Sequence, residues 1–327
     1  MYGPHQFGVN PTIPTMTLNL PLPLFFTRDS GVALPTAALP YNDMRINFSF
    51  RDWTDLLVLS NVSTTKAQAA TTNDVVSPAS ITLNGATQVW ANYAIVSNDE
   101  RKRMACAPRD ILIEQVQTAP KQTFGNTANP QYDIRFSHAI KVLFFAARNT
   151  TISSNWSNYT TFSPVYKSTY NKFAPNGTAD PIKSTSLIYE NTQRLSAMGS
   201  DYYSLVNPYY HAPVIPCETG YHMYSYSLDF ICLDPMGSTN YGKLTNVSLN
   251  PEMSTSAVSQ YTAATASIGW NQTFEFITTA VNNNIIRISG GALGKHGKPK
   301  IGRCFNSRGN TIRGKHFNTT NTHTRVC

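Results

Sequence analysis

A two-residue alternation of apolar and polar side chains recurs along this chain and constrains its fold more than any other feature. The alternation is strictest at 45–51, and it returns at 132–136, 224–230 and 270–277. Successive side chains of a β-strand point to opposite faces of its sheet, so this period indicates strands with one buried and one solvated face. At the strictest segment, we expect Ile46, Phe48 and Phe50 to face a core.

Other segments fit the same class of fold. Two short apolar runs, 142–145 and 285–288, predict fully buried strands, and 18–26, interrupted by two prolines, predicts an edge strand. Only 189–198, which ends before Gly199, indicates a short helix. Many short strands, little helix and long polar loops predict an all-β fold of jelly-roll β-sandwiches.

The net charge of +8 belongs to one end of the chain. Eight of the 26 basic residues and none of the 18 acidic residues lie from Lys295 onward, so 1–294 is neutral. We predict that 295–327 is a disordered basic tail and that any contact with nucleic acid is made through it. The densest charge cluster elsewhere, 98–103, predicts a domain junction near 105–109.

The usual signatures of catalysis are absent from the sequence. It contains no phosphate loop, dinucleotide fingerprint, nucleophile elbow or zincin motif. Two groups of metal-ligating residue types lack the spacing of a usual zinc site. They are His211, Cys217 and His222 in one loop and Cys304, His316, His323 and Cys327 in the tail. We therefore predict no enzymatic activity, no cofactor and no metal.

Four tyrosines form an aromatic cluster, and two interpretations of it stay open. They are Tyr202, Tyr203, Tyr209 and Tyr210. Exposed rings of this kind stack on sugars, which would make the chain a glycan-binding β-sandwich. Aromatic residues in a β-rich chain also fill cores and subunit interfaces, which is the interpretation we favour.

Targeting and redox features are few. The five cysteines are odd in number and widely spaced, which indicates free thiols in a reducing compartment. We expect no secretory signal, because no basic segment precedes an apolar one at the start, and no membrane span, because no apolar run approaches about 18 residues.

Long colinear segments of the chain resemble the major capsid protein family of iridoviruses. The segments are LNLPLPLFFTRDSGVALPTAALPYNDMRINF (18–48), VWANYAIVSNDERKRM (89–104), RDILIEQVQTAP (109–120), YDIRFSHAIKVLFFAARNTT (132–151), DYYSLVNPYYHAP (201–213), DPMGSTNYGKLTNVSL (234–249) and TFEFITTAVNNNIIRISGGALG (273–294).

The resemblance implies a fold, a function and partners. It implies a double jelly-roll protein that forms homotrimeric capsomers of pseudo-hexagonal outline, which tile an icosahedral shell over an internal membrane. Its implied partners are copies of itself, neighbouring capsomers, minor capsid proteins and that membrane. It places the protein in the virion of a large double-stranded DNA virus, assembled in the host cytoplasm.

The resemblance also implies a division of the chain. We expect an irregular arm at 1–17, the late strands of a partial first jelly roll at 18–105, a complete second roll at 109–294, and the tail. A partial roll would leave apolar faces exposed, so a partial or diverged capsid paralogue that does not assemble is an alternative.

The resemblance points to seven charged residues as candidates for polar contacts between rolls or subunits. Ordinary surface ion pairs are the alternative interpretation of each. The candidates are Asp29, Arg45, Asp99, Arg101, Arg109, Asp110 and Arg135.

Overall fold

The structure, a computed structural model, describes part of the chain in detail. The described residues are 17–39, 44–53, 56, 58–61, 66–69, 87–127, 130–151, 157–161, 180–262, 271–289 and 292–295. The predicted arm at 1–17 and the predicted tail at 295–327 lie outside these residues, apart from Thr17 and Lys295.

The described residues form mainly short strands. The strands are β1 (Val58–Asn61), β2 (Lys66–Ala69), β3 (Arg109–Thr118), β4 (Gln122–Phe124), β5 (Tyr132–Asp133), β6 (Ala139–Asn149), β7 (Ile182–Tyr189), β8 (Thr192–Gly199), β9 (His222–Ser225), β10 (Thr239–Asn240), β11 (Val247–Met253), β12 (Phe274–Ser289) and β13 (Ala292–Lys295). The helices are α1 (Phe25–Arg28), α2 (Asn98–Cys106), α3 (Asn207–His211), which continues a π-helical turn at Tyr202–Val206, and α4 (Thr255–Thr262).

Strands from Arg109 onward form two larger antiparallel sheets. In the seven-stranded sheet, β6 and β12 lie side by side, β9 and β10 flank β6, and β3 and β4 flank β12. The four-stranded sheet has the order β5-β11-β7-β8. Strands β1 and β2 pair with each other in a separate antiparallel sheet. These two larger sheets confirm the all-β prediction.

An apolar core joins the inner faces of the two sheets. Phe145, Phe274 and Phe276 come from the seven-stranded sheet, while Leu187 and Leu249 come from the four-stranded sheet. All five side chains are buried. The predicted buried run at 142–145 and the predicted alternation at 270–277 are both confirmed where they enter this core.

Strand β12 extends beyond this core to a second, smaller one. Its next inward positions, Asn282 and Asn284, bear amides that bond to Gln117 over 2.7 Å and Gln115 over 3.0 Å. Beyond this amide belt, Ile288 packs with residues of 34–39. The 16 residues of β12 thus link two apolar clusters across a polar belt.

Strand predictions in the N-terminal region are wrong within the described residues. Segment 44–50 forms no strand there, and Ile46, Phe48 and Phe50 are all exposed. Their alternation requires a neighbouring strand, and none of the described residues supplies one. The predicted edge strand at 18–26 is likewise no strand, and the chain turns at Leu22 and Leu24 before it enters α1. Its two prolines lack the N–H groups that a strand ladder requires.

The predicted helix at 189–198 is wrong, because β7 and β8 form a hairpin there. Glu190 and Asn191 turn the chain with φ of 45° and 61°, the left-handed geometry of a tight hairpin. The Glu190 carboxylate accepts hydrogen bonds from the backbone N–H groups of Thr245 and Asn246, which stabilises this turn.

The predicted strand at 224–230 is half right. Strand β9 ends at Ser225, and the chain then crosses the outer face of the seven-stranded sheet as a loop at 226–238. At 132–136 the alternation is confirmed by burial: Ile134 and Phe136 are buried, while Asp133 and Arg135 are exposed.

Candidate assembly surfaces

The N-terminal segment 24–39 is anchored to the seven-stranded sheet. Ala38 and Leu39 are buried against Ile288 of β12, and Leu34 and Met104 cover the edge of this cluster. The cluster lies at the end of β12 that extends past the main core. Residues before the predicted junction therefore pack on residues after it.

A buried ionic network makes a second anchor. Lys141, which has no exposed surface, donates from Nζ to Oε1 of Glu114 over 2.6 Å and to the carbonyl oxygen of Cys232 over 2.7 Å. The other carboxylate oxygen of Glu114 accepts from Arg28, which also donates to the carbonyl oxygen of Ile231. One carboxylate thus joins helix α1, strand β3 and strand β6.

The network also holds the 226–238 loop on the outer face of the sheet. Both cations of the network donate to loop carbonyl groups, and Phe230 packs edge-on against Phe144 with ring centroids 5.8 Å apart. Because Lys141 lies at a register shift between β6 and β12, its side chain departs from the regular ladder. Burial of this lysine is tolerated because a carboxylate and a carbonyl satisfy its ammonium group.

The seven predicted interface residues lie at separate places in the described fold. The Asp29 carboxylate accepts from the N–H of Gly31, capping a 3-10 turn, and Asp99 and Arg101 lie exposed on α2. Arg109 begins β3 opposite Ile288. Arg45 is exposed on a segment that is not a strand, and Arg135 is exposed just after β5.

Asp110 is the predicted interface residue with the best-defined partner. Both of its carboxylate oxygens accept from the Arg287 guanidinium, at 2.7 Å and 2.6 Å, across the β3–β12 ladder. Whether any of the seven residues lies at a contact between subunits stays a prediction.

Sequence reasoning missed Arg28, Glu114 and Lys141. One signal was present, because a lysine inside the apolar run around 140–145 needs a buried partner of opposite charge. The partner is 27 residues away on another strand. Only the sheet register brings the two together.

The four tyrosines of the aromatic cluster divide by exposure. Tyr203 is 2% exposed, donates from its hydroxyl to the Thr185 carbonyl over 2.7 Å, and packs edge-on against Phe145. Tyr202 is half-buried, whereas Tyr209 and Tyr210 on α3 are 69% and 71% exposed. Of the predicted glycan-stacking rings, Tyr203 therefore belongs to the core.

The exposed tyrosines belong to a larger apolar set on one segment, here called the α3 patch. Its other members are Leu205, Val206 and Val214, all exposed. The first two residues of helix α3, Asn207 and Pro208, are buried. Tyr209 and Tyr210 therefore lie on the side of the helix that faces away from the core. A second exposed set lies on segments 44–50 and 87–95, which are neither helix nor strand, and includes Phe48, Trp90 and Ile95.

The hydroxyl groups of three other tyrosines, Tyr189, Tyr226 and Tyr241, lie within hydrogen-bond distance of one another inside the sandwich. Tyr226 lies 2.7 Å from the hydroxyl of Tyr241, and Tyr189 contacts both. Burial raises the pKa of Tyr226 and of Tyr241 above the usual value, and it raises the pKa of Tyr132 to about 12. Each phenol therefore stays neutral well above the pH at which an exposed one ionises.

His222 is part of the core rather than of a metal site. Its Nε2 lies 2.8 Å from Oδ2 of Asp180, and its ring stacks on Phe145. His211 bonds instead to the Leu228 carbonyl, and Cys217 is exposed. Within the described part of the chain, no three metal-ligating side chains cluster, and no helix is long and apolar enough to span a membrane.

Two protein-family models match the chain. A model described as the large eukaryotic DNA virus major capsid protein matches 100–294, and one described as the major capsid protein N-terminus matches 6–96.

Relatives with curated names are capsid proteins of iridoviruses. The major capsid protein of Wiseana iridescent virus is 62% identical over 281 residues, which cover 84% of this chain and 58% of that protein. That of Invertebrate iridescent virus 6 is 61% identical over 294 residues, which cover 86% of this chain and 62% of that protein. That of Lymphocystis disease virus 1 is 50% identical, with coverage of 86% and 62%. The chain thus spans 58% to 62% of the length of these three relatives.

Solved structures show a similar fold. The quasi-atomic model of the PBCV-1 virus capsid superposes with a TM-score of 0.50 at 21% identity, covering 62% of this chain and 55% of that chain. At this identity the likeness concerns the fold alone.

Proposed function

The chain belongs to the family of major capsid proteins of large eukaryotic DNA viruses, and from this premise we propose that it is a structural subunit of an icosahedral shell. In this proposal, three copies form a capsomer of pseudo-hexagonal outline, and neighbouring capsomers tile the virion. The iridovirus relatives are named major capsid proteins, which agrees with the prediction that the chain is not an enzyme.

The observation that carries the proposal is the α3 patch. Soluble monomers rarely expose contiguous apolar surface of appreciable size, and such surface usually marks an interface. Tyr209 and Tyr210 are rigid aromatic groups of the kind that dominates binding energy at interfaces. Its named members carry no formal charge, which suits burial at a protein interface.

The N-terminal anchors support a capsid role for the whole chain. The network of Arg28, Glu114 and Lys141 fixes 24–39 on the seven-stranded sheet, while 44–50 and 87–95 stay exposed. We propose that these segments belong to a partial first jelly roll at 18–105 and that the two sheets after the junction form the second roll at 109–294.

The proposed partners beyond the chain itself rest on the family resemblance. They are neighbouring capsomers, minor capsid proteins and an internal viral membrane, with nucleic acid reached only through 295–327. Assembly in the host cytoplasm belongs to the same proposal.

Sedimentation equilibrium of the full chain tests the role of the α3 patch. We expect reversible self-association, and we expect the double substitution Tyr209→Ser and Tyr210→Ser to weaken it at least about tenfold, as loss of aromatic interface residues does. The matched control replaces Thr192 and Gln193, two exposed residues of β8, with alanine. Equal association of all three proteins would contradict the proposed contact.

A further inference from the structure

A cleft of about 590 Å³ opens on the outer face of the four-stranded sheet. Strands β7, β8 and β11 form its floor and one wall, and helix α4 and the turn after β4 form the rest. Its volume falls in the range of small-molecule sites. It shares no residue with the α3 patch.

The floor of the cleft is polar because of the strand register. Asn250 lies opposite Ser186 and Glu252 lies opposite Ser184. The alternate residues of these two strands, such as Leu187 and Leu249, are directed into the core. Side-chain hydroxyl, amide and carboxylate groups therefore face outward together.

One polar atom of this floor lacks a donor. The Oδ1 atom of Asn250 is buried and has no hydrogen-bond partner among the described residues. A buried acceptor left without a donor is destabilising. A ligand O–H or N–H group that reaches this oxygen on binding would satisfy it.

The charges in the cleft cancel. Glu252 accepts from Nζ of Lys183 over 2.7 Å and from the Ser184 hydroxyl over 2.8 Å. The hydrogen bond from Lys183 lowers the pKa of Glu252, so the carboxylate stays ionised and keeps accepting at neutral pH. The pair has no net charge, which favours an uncharged ligand.

The rim adds hydroxyl groups beside small apolar surface. Thr255 and Ser259 of α4 supply hydroxyls, while Ala197 of β8 and Val258 of α4 supply aliphatic contact. Donors and acceptors arranged around small aliphatic surface match a sugar ring, which has hydroxyls at its edge and C–H groups on its faces.

We propose that this cleft binds a neutral polyhydroxylated ligand, namely an uncharged sugar unit of a glycan. The site differs from the aromatic cluster, since none of its lining residues is Tyr202, Tyr203, Tyr209 or Tyr210. It is independent of shell assembly, so sugar binding and self-association can be lost separately.

Saturation-transfer NMR on the full chain tests the proposal, with the methyl glycosides of glucose, galactose, mannose and N-acetylglucosamine as probes. We expect transfer to at least one of them at millimolar concentration. Ala197→Trp, which fills the cleft from an exposed strand position, should reduce that affinity at least tenfold. Ser196→Trp, at an exposed neighbouring position that does not line the cleft, should leave it unchanged.

A second variant, Asn250→Ala, should also lower the affinity for the glycoside. Circular dichroism checks that this variant folds. Absence of transfer to all four glycosides would overturn the proposal. So would transfer that survives Ala197→Trp, or transfer that is abolished by Tyr209→Ser with Tyr210→Ser. A change in sedimentation of Ala197→Trp without any sugar binding would assign the cleft to a protein contact instead, which also overturns it.

Discussion

The ammonium group of Lys141 lies 2.6 Å from the carboxylate of Glu114, and the lysine side chain has no exposed surface. The pair joins β6 to β3 across the β12 strand that separates them. Through Arg28 and two loop carbonyls it also fixes the N-terminal segment and the 226–238 loop. The stability of several elements therefore depends on one buried charge pair.

Loss of one partner should be costly. Lys141→Ala leaves Glu114 facing a cavity and should lower the free energy of unfolding by about 3 to 5 kcal/mol. Lys141→Met keeps the aliphatic volume and should cost less. Urea denaturation of the two variants, completed by Glu114→Gln in a double-mutant cycle, measures the coupling. Additive effects of the two substitutions would show that the pair contributes nothing as a pair.

Arg28 should control the docking of the N-terminal segment. Arg28→Ala removes the contacts to Glu114 and Ile231 while leaving the apolar contacts of Ala38 and Leu39 in place. We expect amide exchange in 25–39 to accelerate at least about threefold, which corresponds to the loss of a partly exposed ionic contact of about 0.7 kcal/mol. Arg103→Ala on the exposed face of α2 is the control. Identical exchange in both variants would count against this anchor.

Alkaline pH should destabilise the protein through the buried tyrosines. Their folded-state pKa values are raised, so their contribution to stability is complete below the unfolded value near 10 and is lost as the pH rises through the folded value. Each phenol that stays protonated only in the folded state lowers stability by about 1.4 kcal/mol per pH unit in this window.

Tyr226→Phe tests this linkage. The variant should lose about 1 kcal/mol at pH 7 with its hydrogen bonds, yet its stability should fall less steeply than that of the wild type above pH 10. Tyr209→Phe, at an exposed position, should keep the wild-type slope. Parallel pH profiles for wild type and Tyr226→Phe, measured by denaturation from pH 7 to 11.5, would refute the assignment.

Gly220 should tolerate no side chain. Its φ is +95°, and an added Cβ would clash with the carbonyl oxygen of Tyr159 and lie 2.8 Å from the Cβ of that tyrosine. Gly220→Ala should cost about 2 to 4 kcal/mol from backbone strain together with this overlap. Gly199→Ala, where nothing lies within 4 Å of the new methyl group, should be neutral or stabilising. Similar melting temperatures for the two variants would contradict this account.

Sequence patterns identified several strands whose neighbours lie within the described residues, although the run at 285–288, predicted to be fully buried, has Ile285 exposed. Phe274 and Phe276 alternate with polar residues and are buried, because β4 and β6 complete the sheet beside them. At 45–51 an equally strict alternation predicted a strand that the described residues do not form. An alternation predicts a half-buried surface, and a strand requires a partner as well.

Local signals failed where geometry was decided by long-range contacts. The hairpin turn at Glu190 and Asn191 lacks the usual Asn-Gly or Asp-Gly signature, and it is stabilised by backbone groups of Thr245 and Asn246. The anchoring network was equally hidden, since Arg28 and Glu114 are 86 residues apart. A lysine in an apolar run indicates that a partner exists without identifying it.

Native mass spectrometry of the full chain tests the central claim most directly, because it counts subunits. The proposal of a homotrimeric capsomer predicts a dominant species with three times the chain mass of 36.2 kDa at micromolar concentration. It further predicts that this species dissociates when Tyr209 and Tyr210 are replaced by serine. A dominant monomer at every concentration, or a dimer that the double substitution leaves intact, would contradict the proposal.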